Sequence, residues 1–592
     1  MADYAPPLAD MRFVLENLVD LAALSGLPGY EHADPEMVFG ILEESGRFFA
    51  QEYAPLNRVG DTQHSRRNGD GSVTTPDGFR AAYRRYVEAG WAGVPFPSEY
   101  GGGGFPWLIA VSMQEMMTAA NMAFSLCPLL TQGAIDMLLH YGSEEQKETY
   151  LPRMVTGEWS GTMNLTEPQA GSDVGALTTR AVPEGDGAWR ITGQKIFITY
   201  GEHDLTDNIV HLVLARVPDA PPGTKGISCF IVPKFLVGDD GSIGERNAVE
   251  CVSIEQKMGI NASPTCVMAY DGAVGYLIGE ANQGMRYMFK MMNNARLSVG
   301  VEGLSLGERA YQQAVAYAAE RRQGRAVGAP AGASSPIVDH PDVRRMLLTM
   351  RAQIEALRCL AYLNAECLDL AARHPDEAVR TARQELADLL TPITKGWGTD
   401  LGVELTSLAV QVHGGMGYIE ETGVAQHFRD ARIAPIYEGT NGIQAMDLVG
   451  RKLPLRAGGA IVDYLAGIEA TAGELSGAGG ELDTIGKHLA DAVAGLRQAT
   501  DWLLANGLAD PNNALAGATP YLRMCGIVTG GWLLARSALA AQRRLDEGTG
   551  DTAFLGQKIL TARFYAEQLL PQAAGLIPAV TAGPGDLLGA EF

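Results

Sequence analysis

From the start of the chain to about residue 160, apolar residues recur at helical spacing, as in "AVSMQEMMTAANMAFSLCPLL" from Ala110. The glycine cluster "SEYGGGGFP" (98–106) interrupts this run as a loop. From about 161 the pattern changes to short apolar or alternating runs: "WRITGQKIFITY", "HLVLARV", "GISCFIVPKF" and "TCVMAYDGAVGYLIG". Gly, Pro, Asp and Asn separate them, which is strand and turn chemistry, and it lasts to about 280. Helical spacing returns with "GMRYMFKMMNNARLSVGVEGLSLGERAYQQAVAYAAERR" and holds to about 452. "RAGGA" (456–460) reads as a linker. Beyond it Leu482, Ile485, Leu489, Val493 and Leu496 form one amphipathic stripe, and two later helical segments end near Leu570 and Pro571. No internal repeat is present. The pattern predicts a multidomain α+β protein: an N-terminal helical domain (1–160), a middle β domain (161–280), a helical bundle (281–455) and an additional helical domain (460–592).

Length agrees with that division, since 592 residues exceed one hydrophobic core and imply about three or four domains. The 46 basic and 69 acidic residues leave a formal charge of −23. Nucleic acids and anionic lipid surfaces bind through Lys and Arg, so neither is an expected partner, although a local basic pocket for a phosphate-bearing ligand is compatible. The seven cysteines are scattered without a CxxC pair, which argues against disulfides and zinc; no metal site is expected. "MADYAPPLADMRF" has neither a basic n-region nor an apolar h-region, and no run approaches the ~18 uncharged apolar residues of a membrane span. A cytoplasmic location without a membrane span is the expectation.

Five segments carry candidate chemistry. "MNLTEPQAGSD" (163–173) is a polar loop at the helical-to-β boundary, able to present hydroxyls and backbone N–H groups to an anionic or heterocyclic ligand, or else an ordinary domain-linking turn. In "GQKIFITYG" (193–201), Phe197 and Thr199 project from one strand face and suit either a flat ring or the core. "AERRQGRAVG" (319–328) ends a helix with three arginines, a solvated C-terminus or a pyrophosphate clamp. "QVHGGMGYIEETG" (411–423) is a glycine-dense loop where backbone can approach a ligand closely, without a Rossmann fingerprint. "RIAPIYEGTNGIQ" (432–444) holds a single acid, Glu438, between an apolar run and a glycine turn. Asn441 with Gln444 three residues on reads as a capping box opening the next helix. His413 and His427 read as packed or solvated residues.

Together these segments resemble the acyl-CoA dehydrogenase family. The signatures are "LTEPQAGSD" (165–173), "GQKIFITYG" (193–201), "ERRQ" (320–323) and "GGMGY…RDARIAPIYEGT" (414–440), with "GVPFPSEYGGGG" and "GSEEQKETYLPRMVTGE" upstream. Phe197 and Tyr200 stand where many members have Trp and Asn, and the Phe usual after Gln323 is missing. The resemblance spans roughly residues 40 to 452. The length, "YAPPLADMRFVLENLVD" within the segment 1–35 and the block "VSIEQKMGINASPTCVMAYDGAVGYLIGEANQGM" resemble a longer subfamily with an added C-terminal helical domain, which includes 3-methylmercaptopropionyl-CoA dehydrogenases and enzymes of fatty acyl-CoA.

The resemblance implies FAD as cofactor, α,β-dehydrogenation of an acyl-CoA, and Glu438 as the base taking the α-proton. A carboxylate away from water has a raised pKa and is a competent base near neutral pH. Some relatives carry the base one residue before the position of Arg296; here Ala295 stands there, which leaves Glu438 as the candidate. By the same transfer Leu165, Thr166, Gly171, Ser172, Phe197, Ile198 and Thr199 contact the flavin. Arg321 and Gln323 reach the pyrophosphate of a neighbouring subunit's FAD, Gln411, Gly414 and Gly415 face its adenosine half, and Thr440 completes the site. Ser172, Arg296, Tyr437 and Gly439 are the substrate contacts, and the Glu438 backbone N–H binds the thioester carbonyl. A homo-oligomer (dimer or dimer of dimers) and an electron-transferring flavoprotein as acceptor follow. Alternatives are an acyl-CoA oxidase using oxygen, a monooxygenase (disfavoured by Glu438), a DNA-binding alkylation-response flavoprotein (disfavoured by the acidic charge) and a membrane-docking role for the C-terminal block. The acyl chain is left open among 3-methylmercaptopropionyl, short and long.

Overall fold

The computed structural model describes residues 4–238, 240–330, 332–507 and 509–592, with the side chain of residue 290 apart. Helices give way to strands at Trp159, and strands to helices after Leu277. Two compact units result: one comprises Met1–Glu44, Pro106–Ala119 and Arg296–Phe592, the other Ser45–Phe105 and Ala120–Ala295.

The second unit is organised by a seven-stranded sheet of β1 (Trp159–Asn164), β2 (Arg180–Gly185), β3 (Ala188–Thr199), β4 (Asn208–Ala215), β5 (Ser228–Pro233), β6 (Val249–Ile254) and β7 (Thr265–Leu277). Its order is β1-β4-β5-β7-β3-β2, with β6 also paired to β7. All pairs are antiparallel except β1 with β4. β4 and β5 are buried along their whole length, which is why "HLVLARV" and "GISCFIVP" read as continuous apolar runs rather than alternations. Ile191, Ile198, Val213, Phe230, Val232 and Met268 form the sheet's core.

The first unit is helical. Its main elements are α1 (Leu8–Asn17), α2 (Trp107–Ala120), α3 (Gly284–Glu320, which enters this unit at Arg296), α4 (Pro341–Arg373), α5 (Glu377–His413), α6 (Asn441–Asp447), α7 (Pro511–Asp546) and α8 (Thr552–Gln568). Close approach of α3 and α5 requires glycine: a Cβ on Gly303 would run into the Gly398 carbonyl oxygen, and one on Gly402 would lie 2.6 Å from the Gly303 Cα. In the same way α7 seats Gly526 under the Trp397 ring of α5, which joins the additional C-terminal helices to the bundle. The stretch expected as a linker at 456–460 is short: Arg456 and Ala457 take positive φ and the next helix starts at Gly459.

Charges buried here are paired across α1, α2, α3, α4 and α8. Arg358 donates to Glu115 at 2.9 and 2.7 Å and to Glu308 at 2.7 Å, and the Tyr362 hydroxyl donates to the other Glu115 oxygen at 2.8 Å. Lys558 donates to Asp10 and lies 3.1 Å from Glu355, so the N-terminal segment and the last long helix share one ionic cluster. Two helices, Met122–Tyr141 and Pro511–Asp546, are long and apolar enough to cross a membrane by length and composition, contrary to the sequence reading. Their apolar windows are 89% and 83% buried inside the fold, which is the environment of core helices.

Removing one member of a buried ion cluster strands the rest in low dielectric. Arg358→Met leaves Glu115 and Glu308 without their cation and is expected to cost about 3–5 kcal/mol, read as a lower urea midpoint at unchanged slope.

Candidate active site

Helix Val424–Ala431 ends, and the chain turns back on itself before α6. The Ile436 and Tyr437 N–H groups both donate to the Ile433 carbonyl, at 2.8 and 3.1 Å, and the Asn441 N–H returns to the Pro435 carbonyl at 3.0 Å. Glu438 sits in this loop with φ +54°, and Gly439 follows at φ +83°. Left-handed backbone is uncommon for a residue with a Cβ and is kept where the surroundings over-determine it. Gln444 of α6 supplies that restraint by donating to the Gly439 and Glu438 carbonyls at 3.1 and 3.5 Å.

The expected capping box is corrected in detail. Thr440, not Asn441, is the N-cap, accepting from the Ile443 N–H at 3.4 Å. Asn441 lies inside the helix and uses its amide to bind α5. It accepts from Lys395 Nζ at 2.8 Å and donates to the Gly396 carbonyl, Thr399 and Asp400 at 3.0, 3.0 and 2.7 Å.

Glu438 is half-buried, and burial pushes its carboxyl above the ordinary range while Lys395 and then Arg296 act in the opposite sense. Lys395 is itself pushed down to about 8 by burial, against the attraction of Glu438, Glu302 and Asp400. Arg296 is buried and pairs with Asp447 at 3.6 Å, which balances charge near Glu438. The Tyr437 hydroxyl donates to Glu302 of α3. Among the described residues the Glu438 backbone N–H meets no acceptor, so it is free to donate to a ligand. Glu302 is the acid the sequence reading passed over: on a helix, a lone Glu between Val301 and Gly303 reads as a solvated position, yet it is fully buried.

The polar loop 165–173 belongs to the other unit and is built around a buried pair. Lys195 donates to Glu167 at 2.8 Å and to the Leu165 carbonyl at 3.0 Å. Glu167 also accepts from the Thr178 and Thr179 backbone N–H groups at 2.7 and 3.0 Å. The Ile196 N–H donates to the Thr166 carbonyl at 2.9 Å, which fastens the loop to β3. Gly171 and Ser172 are left exposed. Within β3 the register slips, with Lys195 opposite Met268 but Ile198 opposite Cys266, so Ile196 and Phe197 share one partner position. The bulge carries Phe197 to φ +59° and leaves it 59% exposed, unusual for so large an apolar side chain. Thr199 is half-buried, while Ile198 packs into the sheet core, so any ligand contact from Ile198 comes through its backbone.

Arg321 and Gln323, after α3, are exposed and 3.4 Å apart. Gln411, Gly414 and Gly415, at the end of α5, are exposed as well. A cavity of about 540 Å³ lies between these helix ends, lined by Gln313, Tyr317, Glu320, His413, Met416 and Thr422. His413 stacks on Tyr317 at 4.4 Å and His427 contacts Gln313 at 3.2 Å; both rings are buried and held neutral, His427 down to about 3. In the sheet unit the exposed Phe197 ring and Ser172 hydroxyl are groups that suit a flat heterocycle, and in the helical unit the exposed Arg321 and the open backbone of Gly414 and Gly415 suit phosphate; FAD has both chemistries.

Four domain families match in order: acyl-CoA dehydrogenase N-terminal domain over 41–158, middle domain over 162–273, C-terminal domain over 282–453, and an acetyl-CoA dehydrogenase C-terminal-like domain over 464–591. The chain is 49% identical over 590 residues, 100% of both proteins, to 3-methylmercaptopropionyl-CoA dehydrogenase of Ruegeria pomeroyi. It is 37% identical over 522 residues, 84% of each, to a broad-specificity linear acyl-CoA dehydrogenase of Mycobacterium tuberculosis. A Bacillus anthracis acyl-CoA dehydrogenase complexed with FAD shares the fold at TM-score 0.73 and 22% identity, covering 98% of this chain and 92% of that one. This chain belongs to the acyl-CoA dehydrogenase family of FAD-dependent oxidoreductases.

Proposed function

We propose that the chain oxidises an acyl-CoA thioester to its trans-2-enoyl-CoA with Glu438 as the base, and that 3-methylmercaptopropionyl-CoA is the substrate. The observation that carries the first half is the turn itself: a desolvated carboxylate on strained backbone, flanked by two cations, with a free N–H on the same residue. The full-length likeness to the Ruegeria pomeroyi enzyme supports the second half. Linear acyl-CoA is the other reading, favoured by the likeness to the Mycobacterium tuberculosis enzyme.

In this reading the Glu438 carboxylate takes the α-proton, and its own backbone N–H donates to the thioester oxygen as negative charge grows there. Lys395 and then Arg296 oppose the rise that burial imposes on the Glu438 carboxyl. Tyr437 and Gly439 border the acyl chain, and Ser172 faces the ligand from the polar loop. Bound FAD supplies the acceptor for the β-hydride. Arg321 and Gln323, with Gln411, Gly414 and Gly415, bind the dinucleotide of a second copy. The exposed Val327, Met416, Tyr418 and Ile419 beside them give that homo-oligomer an apolar contact. Electrons leave to an electron-transferring flavoprotein; release of hydrogen peroxide in air at the rate of turnover would instead make the protein an oxidase.

Glu438→Gln keeps the shape of the side chain and removes the base. It is expected to bind FAD normally, by absorbance, while turnover falls about 10²–10⁴-fold. Near-normal dehydrogenation by this variant would contradict the role. In the wild type, burial raises the carboxyl, so kcat/KM rises with pH through a limb above the ordinary carboxylate range, as the base loses its proton. For the substrate, kcat/KM across C3 to C16 acyl-CoA thioesters and the methylthio compound is expected to peak at 3-methylmercaptopropionyl-CoA. A peak at a plain linear chain would select the other reading.

A further inference from the structure

Glu302 is the second acid beside Glu438, and the reaction above leaves it without a task. It lies on α3 seven residues, two helical turns, beyond Ala295, and therefore on the same helix face. Its side chain is fully buried, with the Tyr437 hydroxyl on one oxygen. The other oxygen, Oε1, is buried with no hydrogen-bond partner among the described residues. A buried carboxyl left half-satisfied is costly, and such a cost is tolerated where it serves a site. Tyr437 is the residue immediately before the base, and Lys395 attracts both carboxyl groups.

We propose that Glu302 is a positioning residue for the base: it pins the strained Glu438 turn through the Tyr437 hydroxyl and competes with Glu438 for the Lys395 charge. This rests on Glu438 being the base. The groups that act on Glu302 are Tyr437 and Glu438 of the turn and Lys395 of α5. Lys395 in turn faces Asp400 and Arg296, and Arg296 faces Asp447 and Arg451. Burial pushes Glu302 up to about 8, so at neutral pH it is mostly protonated and makes little claim on Lys395. Above that, Glu302 ionises while Lys395, pushed down to the same range, loses its proton, so a second negative charge acts on Glu438 with less cation to offset it, and turnover falls. The titration belongs to the Glu302–Lys395 pair rather than to either group.

The experiment compares wild type, Glu302→Gln and Tyr437→Phe as FAD-loaded enzymes, with Glu438→Gln as reference. Glu302→Gln keeps an acceptor for Tyr437 but cannot ionise. The fall of kcat near pH 8 is expected to become shallower, since one of the two groups that titrate there is gone. A kcat profile superimposable on wild type from pH 6 to 9.5 would overturn the proposal; with Glu438→Gln inactive, the base assignment would still stand. A second readout needs no turnover. Between the ordinary carboxylate range and pH 8 the folded wild type holds a proton on Glu302 that the unfolded chain releases, so its melting temperature falls with rising pH. The difference between wild type and Glu302→Gln must show that slope, and a pH-independent difference overturns the proposal. Tyr437→Phe loses the anchor and is expected to lower kcat about tenfold at unchanged FAD content. Wild-type kcat in Tyr437→Phe overturns the pinning half.

Discussion

One electrostatic constraint organises the loop around Glu438: a carboxyl withdrawn from water stands against two buried cations. Burial raises the Glu438 carboxyl, and the cations that oppose this, Lys395 and Arg296, are themselves buried and pushed down by the same desolvation. The short helix α6 serves all three groups. Asn441, Gln444 and Asp447 recur at intervals of three along it, and each serves a different member of the site. Asn441 binds Lys395, Gln444 holds the carbonyls of the strained turn, and Asp447 pairs with Arg296. The seven residues of α6 thus carry the charge balance and the geometry of Glu438 together.

The depth of the site depends on how closely α3 and α5 pack. Gly300 and Gly303 on one helix, and Gly398 and Gly402 on the other, let the backbones meet where ordinary side chains would hold them apart. Lys395 and Glu302, one from each helix, are thereby carried into the interior, where charge interactions are strong. Larger residues at these glycines would separate the helices and weaken the field around Glu438 without touching it. The same logic holds at the sheet, where the Glu167–Lys195 pair is spent on fixing the loop that leaves Ser172 exposed.

Much of this was legible from residue order. The change from helical to strand spacing located the sheet, and a single acid between an apolar run and a glycine singled out Glu438. What stayed hidden was set by contacts between distant segments. The pairing of Phe197 with Thr199 assumed a regular strand, whereas the register slip against β7 decides where Phe197 points. Asn441 has the composition of a helix cap, but α5 claims its amide and Thr440 caps instead. The apolar helix Pro511–Asp546 cannot be told from a membrane span by composition; its burial against neighbouring helices distinguishes it. Glu302 and Lys395 sit singly in largely apolar helical stretches, where nothing local shows which partners the helix crossing brings to them.

Comparison among buried carboxyl groups separates structural charge from working charge. Glu115 is as deeply buried as Glu302, yet Arg358 occupies one of its oxygens and Tyr362 the other. Glu308 is similarly divided between Arg358 and Gln312. These acids have their hydrogen-bonding capacity met by fixed partners, and such networks rigidify the fold. Glu302 has one oxygen bound and the other bare, with a lysine shared rather than owned. A fold that satisfies two acids within the same helical unit had the means to satisfy a third. Glu302 instead spends its one hydrogen bond on Tyr437, the residue before Glu438, which ties this carboxyl to the strained turn rather than to the ion clusters of the bundle.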